Sequence, residues 1–479
     1  MGLFADYSGH GFCELQDGDG SVRPHYRPLV DRLDSLTTED ISDRVRLTES
    51  IFRRQGITFA IADSDEGIER TWPLDLIPRI IPAAEWATLE VGLEQRVRAL
   101  NLFLEDLYVG EQAAINDGIV PRWLVESSSG YVPEAHGIEV PHGARSVISG
   151  VDLIRDGAGT YRVLEDNLRV PSGVSYVLEN RVAMTRVLPV AFSRYDIRPV
   201  AHYGASLLRT LESLAPAGVD EPTVAVLTPG IFNSAYFEHA FLARQMGVEL
   251  VEGRDLVVDD QTVHMRTTRG LQRVDVIYRR IGDEFLDPVV FRPDSVLGVP
   301  GLMAAMRAGT VTVANAIGNG VADDKGVYPF VPDLIEYYLG EDAVIENVRT
   351  YLPWEGDQLA WVLDHLDELV VKPVAEAGGY GIVIGSQADD ATLARTADQL
   401  RADPRGYIAQ DIIQLSTHPS FAGDQLAPRH IDLRPFVLAG DRIEVVPGGL
   451  TRVALREGSL VVNSSQGGGS KDTWVLEDV

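Results

Sequence analysis

The feature that most constrains the fold is an alternation of strand and helix patterns between residues 222 and 320. The apolar run 223–229 predicts a buried strand, and 236–247 predicts a helix that ends at Gly247. Further strand patterns follow at 248–253, 274–280 and 310–318. Strands that alternate with helices in this way form parallel sheets, so we expect a Rossmann-like α/β unit here. No G-x-G-x-x-G follows the first strand, so dinucleotide binding is not expected in this unit.

Other parts of the chain show simpler patterns. Apolar residues at helical spacing predict helices at 37–55, 83–108, 200–214, 332–340 and 356–366. Runs rich in Val and Ile predict strands at 369–374, 381–385 and 407–413. The two earliest helices are interpreted as packing elements.

Composition narrows the class of protein. The chain of 479 residues carries a formal net charge of −29, which argues against nucleic acid and anionic membranes as partners. Cys13 is the only cysteine, and the first residues have no signal-peptide pattern, so a reducing, cytoplasmic location is expected. No apolar run approaches the roughly 18 residues that a membrane helix needs.

Two strand patterns around 149–167 predict a β-hairpin rich in acids. If its loop has an even number of residues, Asp152, Glu165 and Asn167 share one face and Asp166 points to the other. Two carboxylates and a carboxamide are hard oxygen ligands that suit Mg²⁺ or Mn²⁺. The alternatives are an exposed hairpin with solvated acids, and a carboxylate pair for glycoside hydrolysis, which Asn167 fits poorly.

Lysine is rare in this chain, which uses arginine for most of its 42 basic residues. The three lysines are Lys325, Lys372 and Lys471. Lys372 lies within an apolar strand pattern, where an ammonium needs an anionic partner. A turn with Gly378, Gly379 and Gly381 follows, and such a loop can fold over a triphosphate because no Cβ blocks its N–H groups. The alternative is a flexible hairpin tip.

Further polar residues lie in strand patterns of the last third of the chain. Arg434 and Arg452 each stand within one, and Gln410 and Asp411 end another. Each is a weak signal alone, since most arginines are solvated and the strand at 407–413 is also consistent with a core strand. The segment NSSQGGGSKD (463–472) has its glycines and lysine in the wrong order for a P-loop.

Together these motifs resemble the ATP-grasp superfamily, in the group of circularly permuted ATP-grasp proteins of type 2. The matching segments are VLEDNLRVPSGVSYVLENR, ADDKGVYP, VVKPVAEAGGYG, IAQDII and DLRPFVL. In ordinary ATP-grasp ligases the acidic metal ligands follow the lysines and the glycine loop, whereas here they precede them. Moving residues 147–175 behind residue 479 would restore that order. Glutathionylspermidine synthetase is a more distant relative with a named reaction.

The resemblance implies a role for each matching residue. Lys325 and Lys372 would contact phosphates, and Gln410, Asp411 and the Ile412 backbone would line the adenine and ribose. The glycine loop would form the lid, and Asp152, Glu165 and Asn167 would hold Mg²⁺ or Mn²⁺. The residues grouped as catalytic are Arg434, Arg452, Asn463 and Lys471.

The expected fold is α/β, a circularly permuted ATP-grasp fold with a Rossmann-like pre-ATP-grasp domain and an N-terminal helical segment. The expected divisions are 1–130 (helical), 131–200 (metal-binding), 201–320 (Rossmann-like), 321–420 (lid and nucleotide-binding) and 421–479 (C-terminal core).

The expected reaction is ATP-dependent ligation of a small-molecule or peptide carboxylate to an amine. A kinase or other phosphotransferase, and a non-catalytic nucleotide-binding protein, are the alternatives. Asn233, Tyr236, Arg279 and Arg280 are candidate substrate contacts, although the two arginines could equally be structural. The sequence does not determine the oligomeric state.

Overall fold

The computed structural model of the chain describes residues 2–60, 69–375, 381–422, 425–456, 458–459, 462 and 468–478. Its helices are α1 (Arg27–Asp34), α2 (Thr38–Gln55), α3 (Ala83–Tyr108), α4 (Ala113–Asn116), α5 (Arg122–Glu126), α6 (Val174–Val187), α7 (Pro189–Phe192), α8 (Tyr203–Glu212), α9 (Tyr236–Met246), α10 (Asp283–Leu286), α11 (Leu302–Arg307), α12 (Val331–Leu339), α13 (Gln358–Asp364) and α14 (Asp390–Ala402).

The strands are mostly short. They are β1 (Thr58–Ala60), β2 (Glu69–Thr71), β3 (Leu74–Ile81), β4 (Ile148–Arg155), β5 (Tyr161–Asn167), β6 (Val224–Leu227), β7 (Glu249–Val251), β8 (Leu256–Asp259), β9 (Thr262–Thr267), β10 (Gly270–Arg273), β11 (Val276–Arg279), β12 (Thr312–Ala314), β13 (Thr350–Tyr351), β14 (Leu369–Pro373), β15 (Val383–Ile384), β16 (Tyr407–Asp411), β17 (Thr417–Ala422), β18 (Gln425–His430), β19 (Phe436–Ala439), β20 (Ile443–Val445), β21 (Thr451–Val453) and β22 (Gly469–Val475).

The predicted helices form where the sequence carries their signals. At the start of α2, the Thr37 side chain accepts a hydrogen bond from the Asp40 backbone, and the Asp40 side chain accepts one in return. At its end, Gly56 takes the left-handed conformation that glycine adopts without a steric penalty. The helix predicted at 83–108 is confirmed as α3. Within the described residues, no helix is both long and apolar enough to cross a membrane.

The strand–helix alternation forms a parallel sheet, as predicted. Its order is β12-β11-β6-β7, and all neighbouring strands are parallel. Helix α9 connects β6 to β7, as the helix pattern at 236–247 predicts. The small antiparallel sheet β10-β9-β8 between β7 and β11 was not predicted. The expected domain boundaries stay a prediction.

A second sheet joins segments that are far apart in the chain. Its order is β20-β19-β4-β5, and Phe436 of β19 lies opposite Gly150 of β4. The acid hairpin β4–β5 is therefore in one sheet with strands from the end of the chain. Asn315, just after β12, connects the parallel sheet to this hairpin: its Oδ1 accepts from the backbone N–H of Val147 (2.7 Å) and of Ile148 (2.8 Å).

A third sheet, with the order β13-β16-β14-β15, has one apolar and one polar face. Leu369 and Val371 of β14 pack with Val362 of α13 and Leu400 of α14. Because side chains alternate along a strand, Lys372 points to the opposite face. This polar face forms one wall of the site described next.

Candidate functional site

The acid hairpin, formed by β4 and β5, places Asp152 opposite Glu165, and an irregularity in the strand pairing is what aligns them. Residues 156–160, an odd number, separate β4 from β5, so the condition of an even loop is not met. Near the loop, Leu153 of β4 pairs with Val163 of β5. The next residue of β5, Leu164, has no partner on β4, so the following pair is Asp152 with Glu165. This β-bulge restores the register that puts Asp152 and Glu165 on one face.

Asp152 is buried and surrounded by arginines. Arg434 donates to both of its carboxylate oxygens, with Nη2 2.8 Å from Oδ2, and Arg452 Nη2 donates to Oδ2 at 2.6 Å. Burial alone would raise the pKa of Asp152, but the charges of Arg434 and Arg452 outweigh it and lower that pKa. The Asn167 amide is 3.4 Å from Asp152 Oδ1, and Glu165 Oε1 is 4.0 Å from Arg434 Nη2.

Asp432 belongs to this cluster, although the sequence analysis did not single it out. Both of its carboxylate oxygens lie 2.9 Å from Arg452 Nε, so Arg452 is held between Asp432 and Asp152. Burial raises the pKa of Asp432, and Arg452 opposes that rise. The signal was present in the segment HIDLRPF, where Asp432 stands two residues before Arg434.

The hairpin and the lysines line one cavity. The space in and around it, counted together with the adjoining solvent, is about 260 Å³. Its lining residues are Leu164, Glu165, Asp166, Ala322, Asp323, Lys325, Tyr328, Lys372, Ile408 and Gln410. Glu165 and Lys372 therefore line the same cavity although they are far apart in the sequence.

Lys372 is buried in the wall of this cavity. Burial lowers its pKa to about 8; Glu165 opposes this shift, while the nearby charge of Lys325 adds to it. Among the described residues, no carboxylate lies within ion-pair distance of the Lys372 ammonium. A buried ammonium in this position favours an anionic ligand.

Strand β16, which pairs with the lysine-bearing strand β14, presents Gln410 to the cavity. Gln410 pairs with Val370, two residues before Lys372, so both polar side chains share a face. Its Nε2 donates to Thr350 Oγ1 at 2.9 Å, while its buried Oε1 has no partner in the described part of the chain. Asp411 lies on the other face, where its side chain bonds to that of Tyr351. Ile412 directly follows the strand.

Lys471 is not among the residues that line the cavity. Its buried ammonium donates to Asp75 Oδ1 at 2.6 Å, to the Pro419 carbonyl at 2.9 Å and to the Ile77 carbonyl at 3.3 Å. In the β21–β22 pairing, Lys471 lies opposite Thr451 and not opposite Arg452, so alternation directs the two cations to different faces. Its position is that of a structural lysine, and we leave it out of the proposed site.

Three expected site residues, Asn463, Gly378 and Gly379, lie outside the described residues. Gly381 is described and has φ = 69°, a left-handed backbone conformation that favours glycine. A Cβ there would lie 2.8 Å from Pro373 Cγ, so the close approach also requires glycine.

The arginines considered as substrate contacts are buried parts of the fold. Arg279 Nε donates to the Asn315 carbonyl at 2.6 Å, and its two other nitrogens also have partners. Arg280 contacts the Pro171 carbonyl at 2.7 Å and Glu238 Oε1 at 3.0 Å. Both arginines therefore hold the loop after β12 and the loop after β5 in place. The other two candidates, Asn233 and Tyr236, stand at the start of α9, where the Tyr236 N–H donates to the Asn233 carbonyl at 3.0 Å; their contact with substrate stays a prediction.

The donor set of the hairpin suits a hard divalent cation. Glu165 faces the cavity with its side chain 29% exposed, and Asn167 stands on the same face two residues later. Asp152 is the third oxygen donor, but its oxygens already accept from Arg434 and Arg452. In the described ranges, this hairpin included, no group of three or more His, Cys, Asp or Glu side chains is arranged to hold a metal, so the donor set would depend on the Asn167 carboxamide beside the two carboxylates.

Comparison with known proteins agrees with this geometry. One similar structure is a glutathione synthetase-like effector from Globodera pallida, with a TM-score of 0.58 and 12% identity over 92% of this chain and 98% of that one. The two chains thus share a fold. The family model for circularly permuted ATP-grasp type 2 matches residues 78–454, a range that contains the hairpin, Lys325, Lys372 and both arginines. The chain belongs to this family.

Several relatives match along nearly the whole chain. An uncharacterised protein of Synechocystis is 56% identical, with 98% of each chain covered. An uncharacterised protein of Mycobacterium tuberculosis is 53% identical over 98% of this chain and 85% of its own length. A Frankia alni protein named as a glutamate–cysteine ligase is 46% identical over 99% of this chain, but over only 54% of its own length. The name of that last relative describes a protein with a large additional region.

Proposed function

We propose that this protein is an ATP-dependent, ADP-forming carboxylate–amine ligase that requires Mg²⁺ or Mn²⁺. Its substrates would be a small-molecule or peptide carboxylate and an amine. The observation that carries the proposal is the single cavity lined by Glu165 on one side and by Lys325 and Lys372 on the other. Carboxylates that can hold a divalent cation and cations that can bind phosphate are the groups that phosphoryl transfer requires.

The residues of the cavity fit a nucleotide. Lys372 supplies a buried positive charge for a phosphate, and the unpaired Gln410 Oε1 can accept a hydrogen bond from a base or a ribose hydroxyl. Asp411 and the backbone of Ile412 follow directly and would continue the nucleotide site. The glycine loop with Gly378, Gly379 and Gly381 remains the proposed lid.

Arg434 and Arg452 would neutralise the negative charge of the transferred phosphoryl group. Glu165, Asn167 and Asp152 would hold Mg²⁺, which when bound would supply positive charge to neutralise the phosphates. Arg434 lies 14% exposed beside these acids and can turn a guanidinium toward the phosphoryl group. Arg452 is more rigidly held, because Asp152 and Asp432 both contact it. Asn463 remains a proposed neighbour of these arginines.

The proposed reaction has two steps. An oxygen of the substrate carboxylate attacks the γ-phosphorus of ATP, and ADP leaves, which gives an acyl phosphate. The amine nitrogen then attacks the acyl carbon, phosphate leaves and the amine proton goes to solvent. The cavity contributes mainly position and charge, so the chemistry does not require a serine or cysteine nucleophile.

The test is an ADP-release screen over amino acids, peptides and polyamines, with hydroxylamine as a substitute amine. We expect an acyl hydroxamate to form with the correct acid, and Glu165→Gln to abolish it because one cation ligand loses its charge. ADP release with a stable phosphorylated product and no hydroxamate would instead show a kinase. ATP binding without ADP release for any substrate pair would indicate a non-catalytic nucleotide-binding protein.

A further inference from the structure

The residue between the proposed metal ligands has a contact of its own. Asp166 stands between Glu165 and Asn167 on β5, and alternation turns its side chain to the opposite face. Its carboxylate accepts two hydrogen bonds from Arg96 of α3, at 2.7 Å from Nε and 2.6 Å from Nη2. A paired arginine–carboxylate contact of this kind fixes direction as well as distance.

The same guanidinium reaches two further parts of the site. Arg96 Nη1 donates to Asn347 Oδ1 at 2.8 Å, and the Asn347 amide donates to the Tyr328 carbonyl at 2.8 Å. The guanidinium also lies over the Tyr328 ring, 5.5 Å from its centre. Tyr328 lines the cavity three residues after Lys325, and its hydroxyl donates to the Val163 carbonyl of β5 at 2.6 Å.

The position of this contact matters because β5 is irregular at that point. The extra residue Leu164 directly precedes Glu165, and a bulge locally interrupts the pairing of a strand. A slip by one residue would turn the Glu165 side chain away from the cavity and bring the Asp166 side chain into its place. The buried pair of Arg96 and Asp166 opposes that slip, since it would separate the two charges.

We propose that Arg96 is a positioning residue, which holds Glu165 and Asn167 in register with the wall that carries Lys325. This inference rests on the proposed function, since it assumes that the two residues bind a divalent cation. Arg96 itself is buried behind the strand, with its side chain 2% exposed, and acts through Asp166.

The test compares two buried arginines that each bind an aspartate. Arg96→Lys keeps the charge but loses the paired contact, and Arg181→Lys is the matched control, because Arg181 contacts both oxygens of buried Asp472 at 3.2 and 3.0 Å. We expect Arg96→Lys to weaken Mn²⁺ binding in the presence of ATP by about tenfold, measured by electron paramagnetic resonance, because partners that orient metal ligands have effects of this size. Arg181→Lys should leave Mn²⁺ binding unchanged even where it lowers the melting temperature equally.

Other outcomes separate the inference from the proposed function. Wild-type Mn²⁺ affinity in Arg96→Lys, or an equal loss in Arg181→Lys, would overturn the positioning role while leaving the ligase proposal intact. If the wild-type protein binds neither ATP nor Mn²⁺, the proposed function fails first, and the inference fails with it. Should Arg96→Lys not fold, Asp166→Asn replaces it, since it keeps the shape and one acceptor oxygen and carries the same expectation.

Discussion

Two buried lysines in this protein, Lys471 and Lys372, have opposite surroundings. Lys471 contacts one carboxylate and two carbonyls, so its three donors are used within the fold. Lys372 is also buried, but no described carboxylate lies within ion-pair distance of it. Burial lowers the pKa of both ammonium groups, and Asp75 opposes this shift at Lys471.

The difference shows that burial of a lysine is not in itself a sign of function. What distinguishes the two sites is whether the protein supplies the negative charge that a buried ammonium needs. Lys471 obtains it from Asp75 and stabilises the sheet that contains β3 and β22. Lys372 lines a cavity, and a bound phosphate would supply the negative charge that the protein does not.

The largest expected effect tests the structural lysine. Lys471→Met should lower the free energy of unfolding by about 3–5 kcal/mol, because it leaves the Asp75 carboxylate buried without its partner. Thermal denaturation followed by circular dichroism would measure the loss. The double variant Lys471→Met with Asp75→Asn should recover part of it, since the uncompensated charge is gone. Unchanged stability of Lys471→Met would remove the contrast between the two lysines.

The second prediction concerns the lysine of the cavity. Lys372→Met should reduce ATP turnover by about 10²–10³-fold, an effect typical of removing one group that stabilises developing charge. Its melting temperature should stay equal or rise, since a buried charge without an ion-pair partner is replaced by an apolar side chain. Wild-type turnover combined with a large loss of stability would show that Lys372 is structural, like Lys471.

The third prediction concerns how the charge of Lys372 makes the free energy of unfolding depend on pH. The pKa of Lys372 is about 8 in the folded protein, below the value of about 10.4 for an exposed lysine, so the unfolded chain binds more protons between these values. The free energy of unfolding should therefore rise with pH across this window, by at most about 1.4 kcal/mol per pH unit, relative to Lys372→Met. Chemical denaturation of both proteins from pH 7 to 10 would measure the difference.

Nucleotide binding should change in the opposite direction over the same range. The ammonium of Lys372 loses its proton above pH 8, so ATP affinity measured by calorimetry should fall there. In Lys372→Met this fall should be absent. Equal pH profiles in the two proteins would contradict a role for the Lys372 charge.

The smallest expected effect is at Gln410, the other polar residue on that wall. Gln410→Leu should weaken ATP binding by about 1 kcal/mol, or roughly fivefold, because one hydrogen-bond acceptor is lost. Thr350→Val is the control: it removes the internal partner of the Gln410 amide but keeps the Oε1 acceptor. Equal losses in both variants would indicate a packing effect and not a contact with nucleotide.

The sequence predicts the helices and strands of this fold better than it predicts the contacts between residues that are far apart in the chain. The parallel sheet and α3 follow from local periodicity, and the convergence of Asp152 with Glu165 was expected. The bulge at Leu164, which produces this convergence with an odd loop, leaves no local signal in the sequence. Lys471 was grouped with the catalytic residues because its partner Asp75 is 396 residues away, a contact that no local pattern reveals.

Arg96 illustrates the same limit. It lies within a helix whose apolar spacing predicts only packing, and nothing nearby in the sequence indicates that its charge is buried against Asp166. Charged residues on amphipathic helices are usually solvated, so the pattern gives no reason to single it out. Only the approach of α3 to β5 in three dimensions reveals the pair.

The sheet that joins β4 to β19 also has a consequence for biosynthesis. Asp152 leaves the ribosome 282 residues before Arg434, which at about 5–20 residues per second is an interval of roughly a quarter of a minute to a minute. During that time the hairpin lacks its neighbouring strand β19, and Asp152 lacks the two arginines, Arg434 and Arg452, that neutralise it. A nascent chain therefore completes the proposed nucleotide site only near the end of its translation.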